Sequence, residues 1–333
     1  MIVAALVLVF GLALIVKGGD LFVSASVRIA EMLRMPRVVI GSTLVSLATT
    51  SPELVVSIVS GLEGAPGLAV GNAVGSCICN IGLVLGLMAS LRHVDVHLPA
   101  LRTPLVAMFS FGVLLFVLTL DLAISRLQGL FLVLAGTVYF AYDFRLHWRD
   151  RKRADVAEAR AIEEEKLEGR PWLRTPLGTA AQFALGAVLV VAGSRALVWA
   201  AVSLARAIGI PPIVIGLSVV AIGTSLPELV TAVTSSRRNV SDLAVGNVLG
   251  ANIANLTFIL GAAAGIQAVP MSRATQLFNF PALLAGMALV LVAIRSDRRV
   301  TRREGAGLLA YYGAYLAALV VLTITVETGS GSG

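Results

Sequence analysis

The sequence predicts an all-α membrane protein with ten transmembrane helices arranged as two inverted five-helix repeats. Three observations carry that expectation. Hydrophobic residues make up 57% of the 333-residue chain and charged residues only 14%, with a mean hydropathy of +0.91, whereas soluble domains are about 25% charged. The apolar residues fall in long runs, such as Ile2 to Val16, Leu105 to Leu120 and Ala306 to Val326, rather than in one-sided helical stripes. The chain also matches itself when shifted by 175 residues. An ordinary water-soluble enzyme is excluded by the first two observations alone.

Read as helices, the apolar runs give spans at about 2–33, 38–60, 67–90, 101–120, 122–144, 177–208, 211–236, 242–268, 274–294 and 306–326. The first is interrupted by Lys17 and Asp20 and the sixth by Arg195. Each is one tilted helix, because neither piece of either is comfortably long enough to cross alone. The first run lacks a basic leading segment and a cleavage site, and reads as a span rather than a signal peptide.

The formal net charge of +7 collects in alternate loops. Arg34 and Arg37, Arg92 and Arg102, nine basic residues between Arg145 and Arg174, Arg237 and Arg238, and the group from Arg295 to Arg303 form one set. The connections near Glu63, Asp121, Arg206 and Arg273 are poor in basic residues. The positive-inside rule makes the first set cytoplasmic, which with ten spans puts both termini outside. The charge is thus a topology signal rather than a mark of nucleic-acid binding. Cys77 and Cys79 lie inside an apolar run and read as small packing residues, not as a disulfide or a thiolate metal site.

Pro36 to Ser60 matches Pro211 to Ser235 at 11 of 25 positions, and Leu68 to Gly86 matches Leu243 to Gly261 at 10 of 19. Shared Gly, Pro, Glu and Asn residues lie beyond what apolar bias explains. Residues 1–144 form the first five-helix repeat, 145–176 a charged cytoplasmic connector and 177–328 the second repeat, and 329–333 is an appended Gly-Ser tail. Five spans per half invert the second copy, and such repeats carry their ion site at the midplane.

Thr49-Thr50-Ser51-Pro52-Glu53 in the second span recurs as Thr224-Ser225-Leu226-Pro227-Glu228 in the seventh. A charge at the centre of a spanning helix costs about 2.5 to 3.5 kcal/mol on insertion scales. Glu53 and Glu228 are the acids well inside the spans that the repeat duplicates, which makes them the leading functional candidates. Thr49 and Thr50 precede Glu53 by four and three residues and share its helical face. Pro52 and Pro227 break the ladder at the carbonyls of Ala48 and Gly223, freeing these to become ligands. Calcium takes six to eight oxygens, and two glutamates match its charge.

Gly71-Asn72-Ala73-Val74-Gly75-Ser76-Cys77-Ile78-Cys79-Asn80 recurs as Gly246-Asn247-Val248-Leu249-Gly250-Ala251-Asn252-Ile253-Ala254-Asn255. The paired glycines suit close helix approach, and Asn72, Ser76 and Asn80 form one polar stripe. His93 and His97 have metal-ligand spacing but read as loop residues near Pro99. Two glycosylation patterns, at Asn239 and Asn255, are discounted as cytoplasmic and buried.

These motifs resemble the alpha repeats of the cation/calcium exchanger superfamily, particularly the prokaryotic sodium/calcium exchangers, and the likeness covers both halves. It implies ten spans, alternating access, and calcium export against its gradient driven by sodium influx, with calcium and sodium as transported ions and no cofactor. By position, Glu53 and Glu228 would bind calcium, helped by Thr49 and Thr224. Thr50, Ser225 and Ser76 would supply sodium-site oxygens, and Asn80 and Asn255 would line the centre. The chain departs from the pattern at Ala48-Thr49-Thr50-Ser51, where Gly-Thr-Ser and an apolar residue are usual, and at Ala251, where serine is usual. Asn255 stands where potassium-dependent relatives place aspartate, which argues against potassium co-transport. Proton/calcium antiport, and a passive cation channel, are the alternative readings of the same polar cavity.

Overall fold

The computed structural model describes residues 1–64, 66–91, 94–95, 98–149, 172, 175–208, 221–297 and 299–330. Its helices are α1 (Ile2–Leu33), α2 (Arg37–Thr49), α3 (Ser51–Leu62), α4 (Gly67–Leu91), α5 (Leu98–Leu118) and α6 (Arg126–Arg149) in the first half. The second half has α7 (Pro176–Ala207), α8 (Ala221–Thr224), α9 (Leu226–Arg237), α10 (Ser241–Ile266), α11 (Thr275–Ile294) and α12 (Arg302–Ser330). Among the described residues, eight helices are long and apolar enough to cross a membrane, and α2 with α3, bent by 42°, makes a ninth if counted as one broken span. The pair α8 and α9 falls in the expected seventh span, of which residues 211–220 lie outside the described residues, as do His93, His97 and most of the connector.

The long first and sixth runs are each one unbroken helix of 32 residues, as expected. They lie against each other at Gly18 and Gly186, where a Cβ would run into the backbone of Val190 and of Phe22. Helix α10 is the centre of the molecule, with 94% of its most apolar stretch buried, against 72% for α4 and no more than 39% for the other spans. It crosses α2 at Gly246 and Gly250, where a Cβ would collide with the carbonyl oxygens of Val38 and Ser42. This is the close approach expected of the small-residue motif. At Gly71 and Gly75 no described residue lies within 4 Å of a Cβ, and the repeat-equivalent partner segment around 213–217 lies outside the described residues.

The turn into α4 passes through Gly64 at φ 76° and the turn into α10 through Asn239 at φ 61°. These two positions are 175 residues apart and hold the two residue types that best tolerate the left-handed region. Both central helices loosen into a π turn at equivalent asparagines, Asn80–Leu85 and Asn255–Ile259. A third π turn, Gly41–Val45, lies in α2. The sequence reading contains no strands, yet the halves are tied by two short antiparallel ladders. β1 (Val94–Asp95) pairs with β4 (Arg299–Val300), and β2 (Ala123–Ile124) with β3 (Val269–Pro270). Two-residue ladders have no periodicity to read. Large apolar side chains such as Phe10, Leu127, Leu130, Val188 and Val292 are exposed on the outer surface, as suits a hydrocarbon surround.

Gly250→Val is expected to destabilise the protein by about 1–3 kcal/mol through overpacking against α2, read as a lower unfolding midpoint in detergent. Gly307→Val, where nothing lies within 4 Å of a Cβ, is the control. Equal midpoints for the two variants would contradict the close crossing.

Candidate functional site

The two Pro-Glu motifs form matching breaks. The α2–α3 junction turns at Thr50 (φ −82°, ψ 1°) and the α8–α9 junction at Ser225 (φ −89°, ψ 9°), both in the sparsely populated bridge region. A proline occupies the start of each following helix, where its missing N–H costs nothing. Glu53 and Glu228 therefore sit in the first turn of α3 and of α9, where the positive end of the helix dipole favours a carboxylate. Ser51 donates its hydroxyl to the Ala48 carbonyl at 2.8 Å, which occupies one of the two lone pairs of the oxygen that Pro52 frees. Leu226 stands at the equivalent of Ser51 and has no hydroxyl.

Both carboxylates are buried, at 1% and 0% exposure, and none of their four oxygens has a hydrogen-bond partner among the described residues. They lie near enough for their charges to repel, and Thr49 borders Glu228. Thr49 donates to Asn247 Oδ1 of α10 at 3.1 Å. Ser76 Oγ and Thr224 Oγ1 are 3.5 Å apart. Each broken junction thus touches the central helix of the other half. Thr50 is buried with its hydroxyl donated to the Ser46 carbonyl at 2.7 Å, and the Ser225 hydroxyl is buried without a partner among the described residues.

Asn80 donates to Asn252 Oδ1 at 3.1 Å, joining α4 to α10 where they cross. Asn255 is fully buried with neither amide atom partnered among the described residues, and Cys77 lies beside it. Asn72 donates to the Glu53 carbonyl at 3.3 Å and to Ser57 at 3.2 Å, holding α3 against α4. All nine candidate side chains therefore cluster at the junctions and the central crossing.

Three contributors escape the sequence reading. Asn247 is visible as the repeat of Asn72, but its contact with Thr49 is not. Asn252 has Cys77 as its equivalent, so duplication does not flag it. Asp143 sits near the end of an apolar run, beside the charged connector. It is 1% exposed, accepts the Ser42 hydroxyl at 3.3 Å and faces His147 Nδ1 at 3.6 Å.

Among the described residues no three His, Cys, Asp or Glu side chains converge as a metal cluster. A cation at this site would be held by two carboxylates and neutral oxygens, a hard donor set that suits calcium or sodium rather than soft transition metals. A helical membrane protein with broken helices carrying paired carboxylates into a buried polar layer belongs to the class of ion transporters.

Comparison with known proteins makes this particular. The chain belongs to the sodium/calcium exchanger protein family, whose model matches residues 3–144 and 178–321. It is 32% identical to the sodium/calcium exchanger MaX1 of Methanosarcina acetivorans, over 94% of this chain and 97% of that protein. It is 35% identical to the inner membrane protein YrbG of Escherichia coli, over 78% of this chain and 79% of that protein. Its fold matches the sodium-calcium exchanger NCX_Mj, solved after soaking with zero Na+ and Ca2+, with a TM-score of 0.80 and 29% identity over 96% of this chain and 99% of that one. The protein is a membrane antiporter of the sodium/calcium type and not an enzyme.

The chain's two cysteines, Cys77 and Cys79, are free, buried and adjacent to the polar layer. Maleimide labelling of the folded protein is expected to run at least about tenfold slower than after denaturation, because a buried thiol is inert. Equal rates would place the thiols on an open surface.

Proposed function

We propose that the protein exports calcium across the cell inner membrane by alternating access, driven by sodium influx. Glu53 and Glu228 bind calcium together with Thr49 and Thr224. Thr50, Ser225 and Ser76 supply sodium-site oxygens, and Asn80 and Asn255 line the centre. The observation that carries this reading is the opposed pair of buried glutamates, one from each half, with four carboxylate oxygens unpartnered among the described residues. Two negative charges in a low-dielectric layer demand compensation, and one divalent ion or two monovalent ions supply the same charge. Competition for that charge is what couples the two ions.

On this reading the chain has ten spans in two inverted five-helix repeats, 1–144 and 177–328, joined by a cytoplasmic connector, with both termini outside. The 175-residue repeat supports it. So do the matching breaks at Thr50 and Ser225 and the matching turns at Gly64 and Asn239. The same shift carries β1 onto β3 and β2 onto β4 to within a residue. Inverted repeats give two similar arrangements, one open to each side.

Calcium uptake into proteoliposomes should follow an imposed sodium gradient and fall to background in Glu53→Gln and in Glu228→Gln, with both variants still inserted. Uptake indifferent to sodium but driven by a pH gradient would favour proton coupling, which buried glutamates also permit. Uptake needing no counter-ion at all would make the protein a channel.

A further inference from the structure

The two halves treat their equivalent threonines differently. Thr224 rests against Ser76 of α4. The 175-residue shift carries Thr224 to Thr49 and Ser76 to Ala251, so the partner that symmetry would give Thr49 has no hydroxyl. Thr49 bonds instead to Asn247, four residues earlier on α10, at 3.1 Å. Asn247 is fully buried, while its own equivalent, Asn72, serves the Glu53 carbonyl and Ser57. A hydroxyl has one hydrogen and two lone pairs, so it can ligate a cation only when the hydrogen is directed elsewhere. Without Asn247 that hydrogen has the Ser46 carbonyl at 3.2 Å and the neighbouring Glu228 carboxylate as acceptors, and a charged acceptor is the stronger one.

We propose that Asn247 is a positioning residue, orienting the Thr49 hydroxyl for calcium in place of the hydroxyl that Ala251 does not supply. This rests on the site reading above. In sodium-driven calcium uptake by the full chain, Asn247→Ala should raise the calcium KM about fivefold, the effect of removing one net hydrogen bond, with the maximal rate changed less than roughly twofold. Asn247→Leu, which keeps the branched shape without the amide, should do the same. Adding Ala251→Ser to Asn247→Ala should bring KM most of the way back, a rescue that a purely structural role would not give. An unchanged KM in both Asn247 variants, or no rescue, overturns the proposal. Glu53→Gln run alongside separates the two readings: retained flux there counts against the site itself, whereas abolished flux there with a wild-type KM at Asn247→Ala counts against the orienting role alone.

A second, independent observation concerns the flanks. Arg238, at the C-terminus of α9, binds Asp20 of α1 at 3.0 Å and also donates to Ser24. Under the repeat, Arg238 corresponds to Glu63 and Asp20 to Arg195, so the opposite flank carries the same pair with its charges exchanged. Glu63 ends α3 at φ −83°, ψ 5°, much as Arg238 ends α9 at φ −92°, ψ 5°. Yet Glu63 and Arg195 are both exposed, and neither side chain forms an ion pair among the described residues. The packing follows suit. Val230 and Thr234 of α9 lie against Gly19 of α1, whereas their equivalents Val55 and Val59 on α3 are 50% and 41% exposed.

We infer that Asp20–Arg238 and Glu63–Arg195 are alternating latches, the first closed in this structure with the cytoplasmic flank shut, the second closed when α7 moves onto α3. This builds on the alternating-access reading. Arg195→Glu should slow maximal exchange about threefold, the scale of one exposed ion pair, and Glu63→Arg with Arg195→Glu should restore it. Restoration requires a contact that this conformation lacks. A single reversal without effect, or a failed swap at 63 and 195 beside a successful swap at 20 and 238, overturns the inference.

Discussion

Two carboxylates held in a low-dielectric layer are the constraint from which most of this structure follows. Each costs about 2.5 to 3.5 kcal/mol to bury in a bilayer, and a helix N-terminus returns roughly 1 kcal/mol. The local device at Glu53 and Glu228, the first turn of a helix restarted by proline, therefore offsets only part of the burial. Neighbouring hydroxyls and amides could have closed the gap by donating hydrogen bonds. They do not: the hydroxyls of Thr49 and Thr50 are directed to other acceptors, and the carboxylate oxygens have no partner among the described residues. A site built to neutralise its own charge would look different. This one leaves its four carboxylate oxygens without a partner among the described residues, which suits the carrying of a cation.

That condition explains the small residues around it. Thr49 can reach Asn247 only because α2 and α10 cross at backbone distance, and Gly246 and Gly250 are where the crossing occurs. Glu53 comes from the first half and Glu228 from the second, and the ladders β1–β4 and β2–β3 tie the halves together at both ends. Neither half holds the arrangement alone. The polar layer is thus a property of the interface, and the lipid-facing helices serve mainly to contain it.

The sequence makes much of this legible, for identifiable reasons. Hydropathy locates the long helices, including the two 32-residue ones that charges interrupt, because a span must cover a fixed thickness whatever its neighbours are. Duplication then singles out Glu53, Glu228 and the asparagine motif. The same filter hides what the halves do not share. Asn252 and Asp143 have Cys77 and Ala318 as equivalents, so they look incidental, although one joins the central helices and the other takes the Ser42 hydroxyl. The Ser51 hydroxyl on the Ala48 carbonyl is a local competition that proline logic alone does not anticipate. Two-residue ladders and π turns fall below any periodic signal.

What the halves do not share bears on how such a molecule works. If inverted repeats were identical in sequence, the states open to each side would be two-fold-related arrangements of equal energy, with no bias between them. Here Ser42 and Asp143, bonded across α2 and α6, become Leu217 and Ala318 in the other half, so that bond has no counterpart. Ser76 against Ala251, and Ser51 against Leu226, are further breaks of symmetry. A net difference of about 1.4 kcal/mol shifts a two-state equilibrium tenfold, and one or two unmatched hydrogen bonds are of that size. On the alternating-access reading the repeat therefore supplies the two states, and the handful of unmatched polar residues sets which of them is preferred without ions. The shared geometry of the two glutamates makes both states competent to bind, and the asymmetry around them makes the states unequal.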